Sequence, residues 1–180
     1  MRRALAVLAV LVAAFFVLTA PALAYQDAPE TAAIRGILAA HESPMPWWTI
    51  AAYAAGHSDF DVAGFLAVAW AESSLGKGAR SHRNVGSIKG GPVGSLWRDL
   101  RIGVTRSGYN IYPDMRAGTR ALIYLLMERG YMAQLAAGDF WGFGNRYYGR
   151  NVPGISRYVA NLKAARAIIV REAAAYGVCF

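Results

Sequence analysis

The sequence predicts a mainly α fold with a small β region between its middle helix and its last helices. Apolar residues recur at helical spacing over residues 31–76 and again over residues 115–177. Between these two parts, residues 79–113 are rich in glycine, and the segments SIK, GVT and YNIY have the composition of short strands. The order therefore predicts one domain in which helices flank a short β segment.

The first 24 residues have the pattern of a secretory signal peptide. Two arginines precede an apolar run from Ala4 to Ala20, and Pro21 and the small residues ALA follow that run. This pattern predicts cleavage after Ala24, with a retained membrane anchor as the alternative. No cysteine directly follows the cut, which argues against a lipoprotein anchor. We expect a protein that is secreted, periplasmic or associated with a cell wall.

Three helices are predicted before the β region. The third helix begins with Asp59 or Asp61 as its N-cap and has Gly76 as the residue after its end. We assign residues 25–42 to an N-terminal helix and linker, and residues 43–180 to the functional domain. The three helical segments are TAAIRGILAAH (31–41), WWTIAAYAAG (47–56) and DFDVAGFLAVAWAESSLG (59–76).

Four segments follow the β region. Helical spacing places Leu122, Leu125 and Leu126 on one face of a helix that starts at Met115. Residues 131–138 predict a brief helix, and the aromatic, glycine-rich residues 139–149 predict an irregular segment or a broken helix. The last helix, within residues 153–177, is expected to bury Ile155, Tyr158, Leu162 and Ile169.

The chain is basic, with a formal net charge of +8 at pH 7 that falls by two if Arg2 and Arg3 leave with the signal peptide. Such a charge favours an anionic partner, for example a bacterial cell wall, a phospholipid surface or nucleic acid. Lysines and arginines are scattered and no basic run is interleaved with aromatic residues. We therefore expect no nucleic-acid partner.

Cysteine and histidine usage argues against two further kinds of site. Cys179 is the only cysteine, so it cannot form an internal disulfide. His41, His57 and His82 lack the spacing of metal ligands on a helix. We expect a monomer that has no metal and no cofactor.

Glu72 is the candidate catalytic residue. On a helical wheel it lies between Phe65 and Val68, on an apolar arc of the third helix. It also occupies the last turn, at the negative end of the helix dipole. Burial and the dipole would both raise its pKa, which suits a general acid. The alternative is a solvated helix end at which Glu72 pairs with Lys77, Arg80 or Arg83.

A second carboxylate would decide the type of reaction. Asp61 has nearly the same azimuth as Glu72 but lies roughly 16 Å away along the helix, too far for a retaining pair. Asp114 and Asp139 each precede a helix and could serve as N-caps. Asp99 has no evident structural role. We take Asp99 and Asp114 as the candidates for a second acid.

Four motifs in order carry a resemblance to a known group of proteins. The segments DVAGFLAVAWAESSLGK, NVGSIKGG, YNIYPDMRAGTRALIYLL and VPGISRYVANL resemble the lysozyme-like superfamily of peptidoglycan glycosidases. The closest resemblance is to the bacterial glucosaminidase family (mannosyl-glycoprotein endo-beta-N-acetylglucosaminidase-like), with soluble lytic transglycosylases and goose-type lysozymes more distant. The resemblance spans about residues 43–170. It implies a lysozyme-like α+β fold that cleaves β-1,4 bonds in peptidoglycan glycan strands as a glucosaminidase, muramidase or lytic transglycosylase.

The resemblance also implies roles for individual residues. It makes Glu72 the catalytic acid and base. The residues Val85-Gly86-Ser87 depart from the glucosaminidase pattern, in which an aromatic residue often precedes the glycine. The implied substrate-binding residues are Ser73 beside the acid, Asn84, Gly86 and Lys89 at the start of the cleft, Tyr112 as a stacking platform for a sugar, and Tyr158 near the glutamate.

Two other assignments compete with this function. Ser74 and Lys77 satisfy the Ser-x-x-Lys motif of penicillin-binding enzymes, but Gly76 separates them and no Lys-Thr-Gly follows. The stronger rival is a catalytically inactive domain of the same fold that binds wall glycan or a wall-associated partner. Trp141, Phe143, Tyr147 and Tyr148 suit sugar stacking, with packing in the core as their alternative role.

Overall fold

The computed structural model describes residues 28–150 and 152–180, and the chain in these ranges is mainly helical. The predicted signal peptide lies outside them. Three helices come first: α1 (Pro29–Ala40), α2 (Trp47–Gly56) and α3 (Val62–Ser73), followed by a short 3₁₀ turn (Lys77–Ala79). Next come α4 (Leu96–Asp99), β1 (Gly103–Val104) and β2 (Asn110–Ile111). Four helices complete the chain: α5 (Met115–Glu128), α6 (Tyr131–Ala136), α7 (Phe140–Tyr147) and α8 (Ile155–Ala174).

Helix α3 lies at the centre of the domain and packs chiefly against α8. Its residues from Val62 to Ala69 are all buried. Asp61 is its N-cap, as one of the two predictions had it, and accepts a hydrogen bond of 3.0 Å from the Gly64 amide. The same carboxylate pairs with Arg166 of α8 at 3.1 Å. One side chain thus both starts the helix and joins it to its main neighbour.

The predicted end of α3 is wrong by one residue, because Ser74 is the C-cap and Leu75, not Gly76, is the residue that follows it. Ser74, Leu75 and Gly76 have φ values of 51°, 57° and 84°. The Leu75 side chain is buried, and its carbonyl accepts a hydrogen bond of 2.7 Å from the Ser43 hydroxyl. These tertiary contacts hold a left-handed backbone that sequence preference alone would assign to glycine.

Of the three predicted strand segments, GVT and YNIY contain the two strands of the described residues, whereas SIK forms no strand. Strands β1 and β2 are antiparallel, with Gly103 opposite Ile111 and Val104 opposite Asn110. An isolated bridge joins Lys89 to the residue before β2. The predicted mainly α fold with a small β region between α3 and the last helices is therefore confirmed. No helix in the described ranges is long and apolar enough to cross a bilayer.

Residues 139–149 are more regular than predicted, because most of them form helix α7. Asp139 caps this helix by accepting a hydrogen bond of 2.8 Å from the Gly142 amide. The Phe143 side chain is fully buried, and Gly144 lies against Val159 of α8 without room for a side chain. Burial of this face offsets the low helix propensity of the glycines.

The last helix follows its predicted pattern except at its first residue. Tyr158, Leu162 and Ile169 are buried, whereas Ile155 is only half-buried. Ile155 begins α8 directly after Gly154, where the chain enters the helix from the surface. The rest of the apolar stripe then faces α3 and completes the core.

Candidate active site

A cavity of about 430 Å³ opens at the C-terminal end of α3. Glu72 lies in its wall, together with a loop from residue 86 to 89 and side chains from α4, α5, α6 and α7. Among the described residues that line it, Glu72 is the only carboxylate. The lining residues are Glu72, Gly86, Ser87, Ile88, Lys89, Trp97, Tyr109, Leu125, Arg129, Tyr131, Tyr147 and Tyr148.

Burial raises the pKa of the Glu72 carboxyl, while interactions with Tyr158 and Ser87 lower it by less. The direction is the one predicted from its place on the apolar arc of the helix. In the described part of the chain, Glu72 forms no ion pair with Lys77, Arg80 or Arg83. Glu72 is therefore not part of a solvated, ion-paired helix end. Its carboxyl keeps its proton to a higher pH than an ordinary glutamate does.

Ser73 connects the end of α3 to the wall of the cavity. Its buried hydroxyl lies 2.7 Å from the carbonyl oxygen of Val85 and 3.1 Å from that of Ala69. It also accepts a hydrogen bond of 3.0 Å from the Gly76 amide. Ser73 does not line the cavity, so it shapes the site by holding the loop after Glu72.

Asn84 holds the same loop from its other end. Its side-chain amide donates to the carbonyls of Ile88 at 2.9 Å and Asn110 at 3.0 Å, and its oxygen accepts from the Ile88 amide at 2.8 Å. The side chain is buried and lies outside the wall of the cavity that contains Glu72. Asn84 thus fixes the loop that lines the cavity and does not itself face a substrate there.

Ser87 is a residue of the site that the sequence reasoning did not select. Its backbone has a φ of 50°, and its hydroxyl lies 3.4 Å from the main-chain carbonyl oxygen of Glu72. The same side chain lowers the pKa of the Glu72 carboxyl. Its position inside the NVGSIK motif is the signal that could have identified it.

Gly86 lines the cavity, and the structure leaves no room for a larger residue at this position. A Cβ atom at this position would meet Leu122 and the Tyr147 hydroxyl. That hydroxyl donates a hydrogen bond of 2.7 Å to the Gly86 carbonyl. Burial, followed by the charge of Glu72, raises the pKa of Tyr147. Tyr147 is therefore a protonated donor that holds the loop against α7.

Tyr158 lies beside Glu72, as the resemblance implies. Its buried hydroxyl is close enough to lower the pKa of that carboxyl, but it reaches standard hydrogen-bond geometry with no atom of the described residues. Burial and the negative charge of Glu72 raise the pKa of Tyr158. Its ring stacks on Tyr148 at a centroid distance of 4.8 Å. Tyr158 is thus an uncharged neighbour of the acid.

Two cations line the cavity that contains Glu72. The Lys89 ammonium lies 4.3 Å from the centroid of the Tyr109 ring. Arg129, at the end of α5, is exposed, and its main-chain carbonyl accepts a hydrogen bond of 2.9 Å from Arg146. Lys89, which the resemblance implies for the start of a cleft, lines the same cavity as Glu72, whereas Arg129, the C-cap of α5, was not among the predicted site residues.

The expectation that Tyr112 stacks on a sugar is wrong, because its side chain is fully buried. Its hydroxyl donates a hydrogen bond of 3.1 Å to the carbonyl of Trp97 and accepts one of 3.3 Å from Asn110. Burial raises the pKa of Tyr112 to about 12. The residue supports Trp97, which does line the cavity.

Neither candidate for a second carboxylate lines this cavity. Asp114 is exposed and caps α5 by accepting a hydrogen bond of 2.7 Å from the Ala117 amide. Asp99 is exposed in α4. Within the described ranges, the structure therefore brings neither of them to Glu72.

The predicted aromatic residues separate into two groups. Tyr147 and Tyr148 line the cavity, and Tyr148 is 44% exposed, which leaves a ring available to a ligand. Phe143 is in the core, and Trp141 is exposed outside the cavity wall. Trp97, Tyr109 and Tyr131 also line the cavity but come from separate elements, so local sequence patterns could not group them.

No protein-family model, curated protein or solved structure matches the chain. Cys179 is a free, exposed thiol. In the described ranges, no cluster of three or more histidine, cysteine or acidic residues could hold a metal ion. The chemistry of the cavity therefore has to be read from its own side chains.

Proposed function

We propose that this protein is an exported, lysozyme-like glycosidase that cleaves β-1,4 bonds between the amino sugars of peptidoglycan. One observation carries the proposal: Glu72, whose pKa is raised and which is the only carboxyl among the described lining residues, lies in an open cavity lined by aromatic rings and cations. A cavity of about 430 Å³ lies within the usual range for ligand sites, about 300–1,000 Å³. The order of the four sequence motifs supports the same assignment.

Glu72 acts first as a general acid. Because burial favours its protonated form, the carboxyl can donate a proton to the oxygen that bridges two sugars. The bond between that oxygen and C1 breaks, the electron pair stays on the leaving oxygen, and C1 acquires oxocarbenium character. Glu72 is then a carboxylate near the positive charge that it has helped to create.

The second step does not use a second protein carboxylate. No other acid of the described chain lines the cavity, so the sugar itself supplies the nucleophile. In the favoured route the 6-hydroxyl attacks C1 and Glu72 accepts its proton, which gives a 1,6-anhydro end. The alternative route uses the acetamido oxygen first and water second, and gives a reducing end.

The remaining lining residues bind and orient the glycan. The exposed Tyr148 ring offers an apolar face to a sugar ring. Lys89 and Arg129 supply positive charge for carboxylates carried by the glycan or its peptide stems. Ser87 and Tyr158 moderate the pKa of Glu72, so that the acid can both release and recover a proton.

The test compares the wild-type protein with Glu72→Gln on purified peptidoglycan, with mass spectrometry of the soluble products. Glutamine keeps the shape of the side chain but cannot transfer the proton. We expect anhydro ends from the wild type and no release from a folded Glu72→Gln protein. Asp99→Asn and Asp114→Asn serve as controls and should retain activity, since both residues lie outside the cavity and asparagine can replace Asp114 as the cap of α5.

The other outcomes are equally informative. Reducing ends, lost in Asp99→Asn or Asp114→Asn, would assign a second acid and contradict the one-carboxylate route. An active Glu72→Gln protein would remove Glu72 from the chemistry. If the wild type releases nothing but sediments with the wall, the protein is the inactive binding domain that is the rival assignment.

A further inference from the structure

A second, smaller cavity lies between α2 and α5 and belongs to no part of the proposed mechanism. Its volume is about 210 Å³, below the usual range for drug-sized ligands, so it suits one ring or one small group. Its polar and aromatic lining comes from the two helices together. These residues are Trp48, Thr49 and Tyr53 of α2 and Arg116, Arg120 and Tyr124 of α5.

The α2–α5 cavity is separate from the cavity that contains Glu72. On α5, residues 116, 120, 123 and 124 line the α2–α5 cavity and recur at helical spacing on one face. Leu125 faces the opposite way and lines the Glu72 cavity. One helix therefore separates the two cavities and contributes a different face to each.

Two arginines one helical turn apart give this cavity positive charge. Arg120 is already oriented, since its guanidinium donates to the Tyr124 hydroxyl at 2.7 Å and 3.3 Å. Arg116 is exposed, and within residues 28–150 and 152–180 neither arginine has an ion-pair partner. Like charges at this spacing repel each other and destabilise a helix. An anionic group between the two would relieve the repulsion and accept several N–H donors.

No carboxylate of the described residues fills this role. Burial raises the pKa of Tyr53, and the charges of Asp59 and Glu128 raise it further. Neither of these two acids lines the cavity. The positive charge is thus left for a ligand from outside the described chain.

The other lining groups indicate what carries the anion. The Trp48 side chain is 51% exposed and lines the cavity together with the two arginines. Thr49 is buried, and its hydroxyl has no hydrogen-bond partner in the described part of the protein. Thr49 is one of the lining residues, so a ligand in the cavity can supply the partner that this hydroxyl lacks. Aromatic face, hydroxyl and paired cations together fit a hydroxylated ring that bears an anion.

We infer that the α2–α5 cavity binds an acidic sugar, with the ring against Trp48 and the carboxylate between Arg116 and Arg120. The site would hold a second part of an acidic glycan while the Glu72 cavity acts on the first. The choice of an amino sugar as the probe rests on the proposed function. The anion site itself rests only on the geometry of α2 and α5.

The test uses the full-length chain carrying Glu72→Gln, titrated with N-acetylmuramic acid or N-acetylglucosamine and followed by NMR. The two sugars differ by a lactyl group that bears a carboxylate. The indole signals of Trp48 and Trp97 report the two cavities separately and are assigned with Trp48→Phe and Trp97→Phe. We expect the acidic sugar to shift Trp48 and to bind about tenfold more tightly at that site than the neutral one.

Variants locate the contacts. Arg116→Gln and Arg120→Gln should each weaken binding of the acidic sugar at Trp48 by about tenfold. Arg157→Gln removes the same charge from an exposed position on α8 and should leave binding unchanged. Thr49→Val should weaken binding without lowering stability, because the hydroxyl has no partner to lose in the free protein.

Several results would overturn the inference. The inference is wrong if the two sugars bind equally at Trp48 or if inorganic phosphate competes as well as the acidic sugar binds. It is also wrong if only the Trp97 signal shifts, or if Arg157→Gln weakens binding as much as Arg116→Gln and Arg120→Gln do. The proposed function fails separately. If the acidic sugar binds at Trp48 but the wild-type protein releases nothing from peptidoglycan, the anion site stands and the glycosidase assignment is wrong. Release of glycan ends by a doubly substituted Arg116→Gln, Arg120→Gln protein would show that the Glu72 cavity works without it.

Discussion

The hydroxyl of Ser73 lies 2.7 Å from the carbonyl oxygen of Val85 and joins the end of the helix that carries Glu72 to the loop that forms one wall of the cavity. The Ser73 hydroxyl oxygen also accepts a hydrogen bond of 3.0 Å from the Gly76 amide. A single buried side chain therefore sets the distance between the acid and the loop opposite it.

Replacement of Ser73 by alanine should loosen that connection. The Val85 carbonyl and the Gly76 amide would both lose a partner, which costs about 1–3 kcal/mol of unfolding free energy when the groups stay buried. Chemical denaturation measures the loss. Ser74→Ala, at an exposed neighbour, is the control and should have an effect below about 0.5 kcal/mol. Equal losses in the two variants would show that the Ser73 hydroxyl is not the connection.

The raised pKa of Glu72 predicts a dependence of stability on pH. Because the folded pKa lies above the usual value of 4.5, the folded state holds its proton more tightly than the unfolded state does. Between these two pKa values, the free energy of unfolding falls as pH rises. Above the folded pKa the loss is complete and stays constant. Glu72→Gln removes this effect. The glutamine variant should therefore gain stability relative to wild type as pH rises from 4 to 8.

Thermal or urea unfolding of both proteins across that range gives the difference directly. The activity of the wild type should decline at high pH as Glu72 loses the proton that it donates. A constant difference in stability across the range would contradict a raised pKa at this position.

Tyr147→Phe should weaken the loop without disturbing the ring. The substitution leaves the Gly86 carbonyl without the 2.7 Å hydrogen bond it now accepts. A buried carbonyl that loses its partner costs about 1–3 kcal/mol, and turnover should fall as the loop moves. Tyr148→Phe removes a hydroxyl from the adjacent exposed ring and is the matched control. Denaturation and product release are measured on both, and indistinguishable results would argue against a positioning role for Tyr147.

Gly118→Ala should destabilise the protein through the backbone contact between α5 and the loop after α3. A Cβ atom at this position would meet the carbonyl of Arg83, which is part of the main chain and cannot easily move aside. Overpacking of this kind costs about 1–3 kcal/mol. At Gly56 in α2 nothing lies near the added atom, so Gly56→Ala should instead stabilise by about 0.4–1 kcal/mol. Opposite signs in denaturation are the expected result.

Local sequence signals predicted the helices and the place of the β region with few errors. Helical spacing, an Asp61 cap and a glycine-rich interval depend on neighbours within one or two turns, and the structure retains all three. The same local pattern placed Glu72 on an apolar arc and indicated the direction of its pKa shift. These features were accessible because the residues that produce them are close in the chain.

The set of residues that line the cavity could not be predicted from local sequence patterns. Trp97, Arg129 and Tyr147 line the cavity from three separate parts of the chain, and no sequence spacing relates them to Glu72. Tyr112 is buried, which excludes it from sugar contact, and its hydroxyl bonds to the Trp97 carbonyl from another part of the chain. Such contacts depend on how whole elements pack.

By itself the sequence determined which segments are helical, where the β region lies and which acid is the chemical candidate, because each depends on local periodicity and capping. Only the tertiary structure decided that Asn84 and Ser73 hold the loop, that neither Asp99 nor Asp114 lines the Glu72 cavity, and that the backbone turns left-handed at Ser74. The physical reason is that these outcomes are set by hydrogen bonds and burial between residues distant in the chain, where side-chain type alone carries little information.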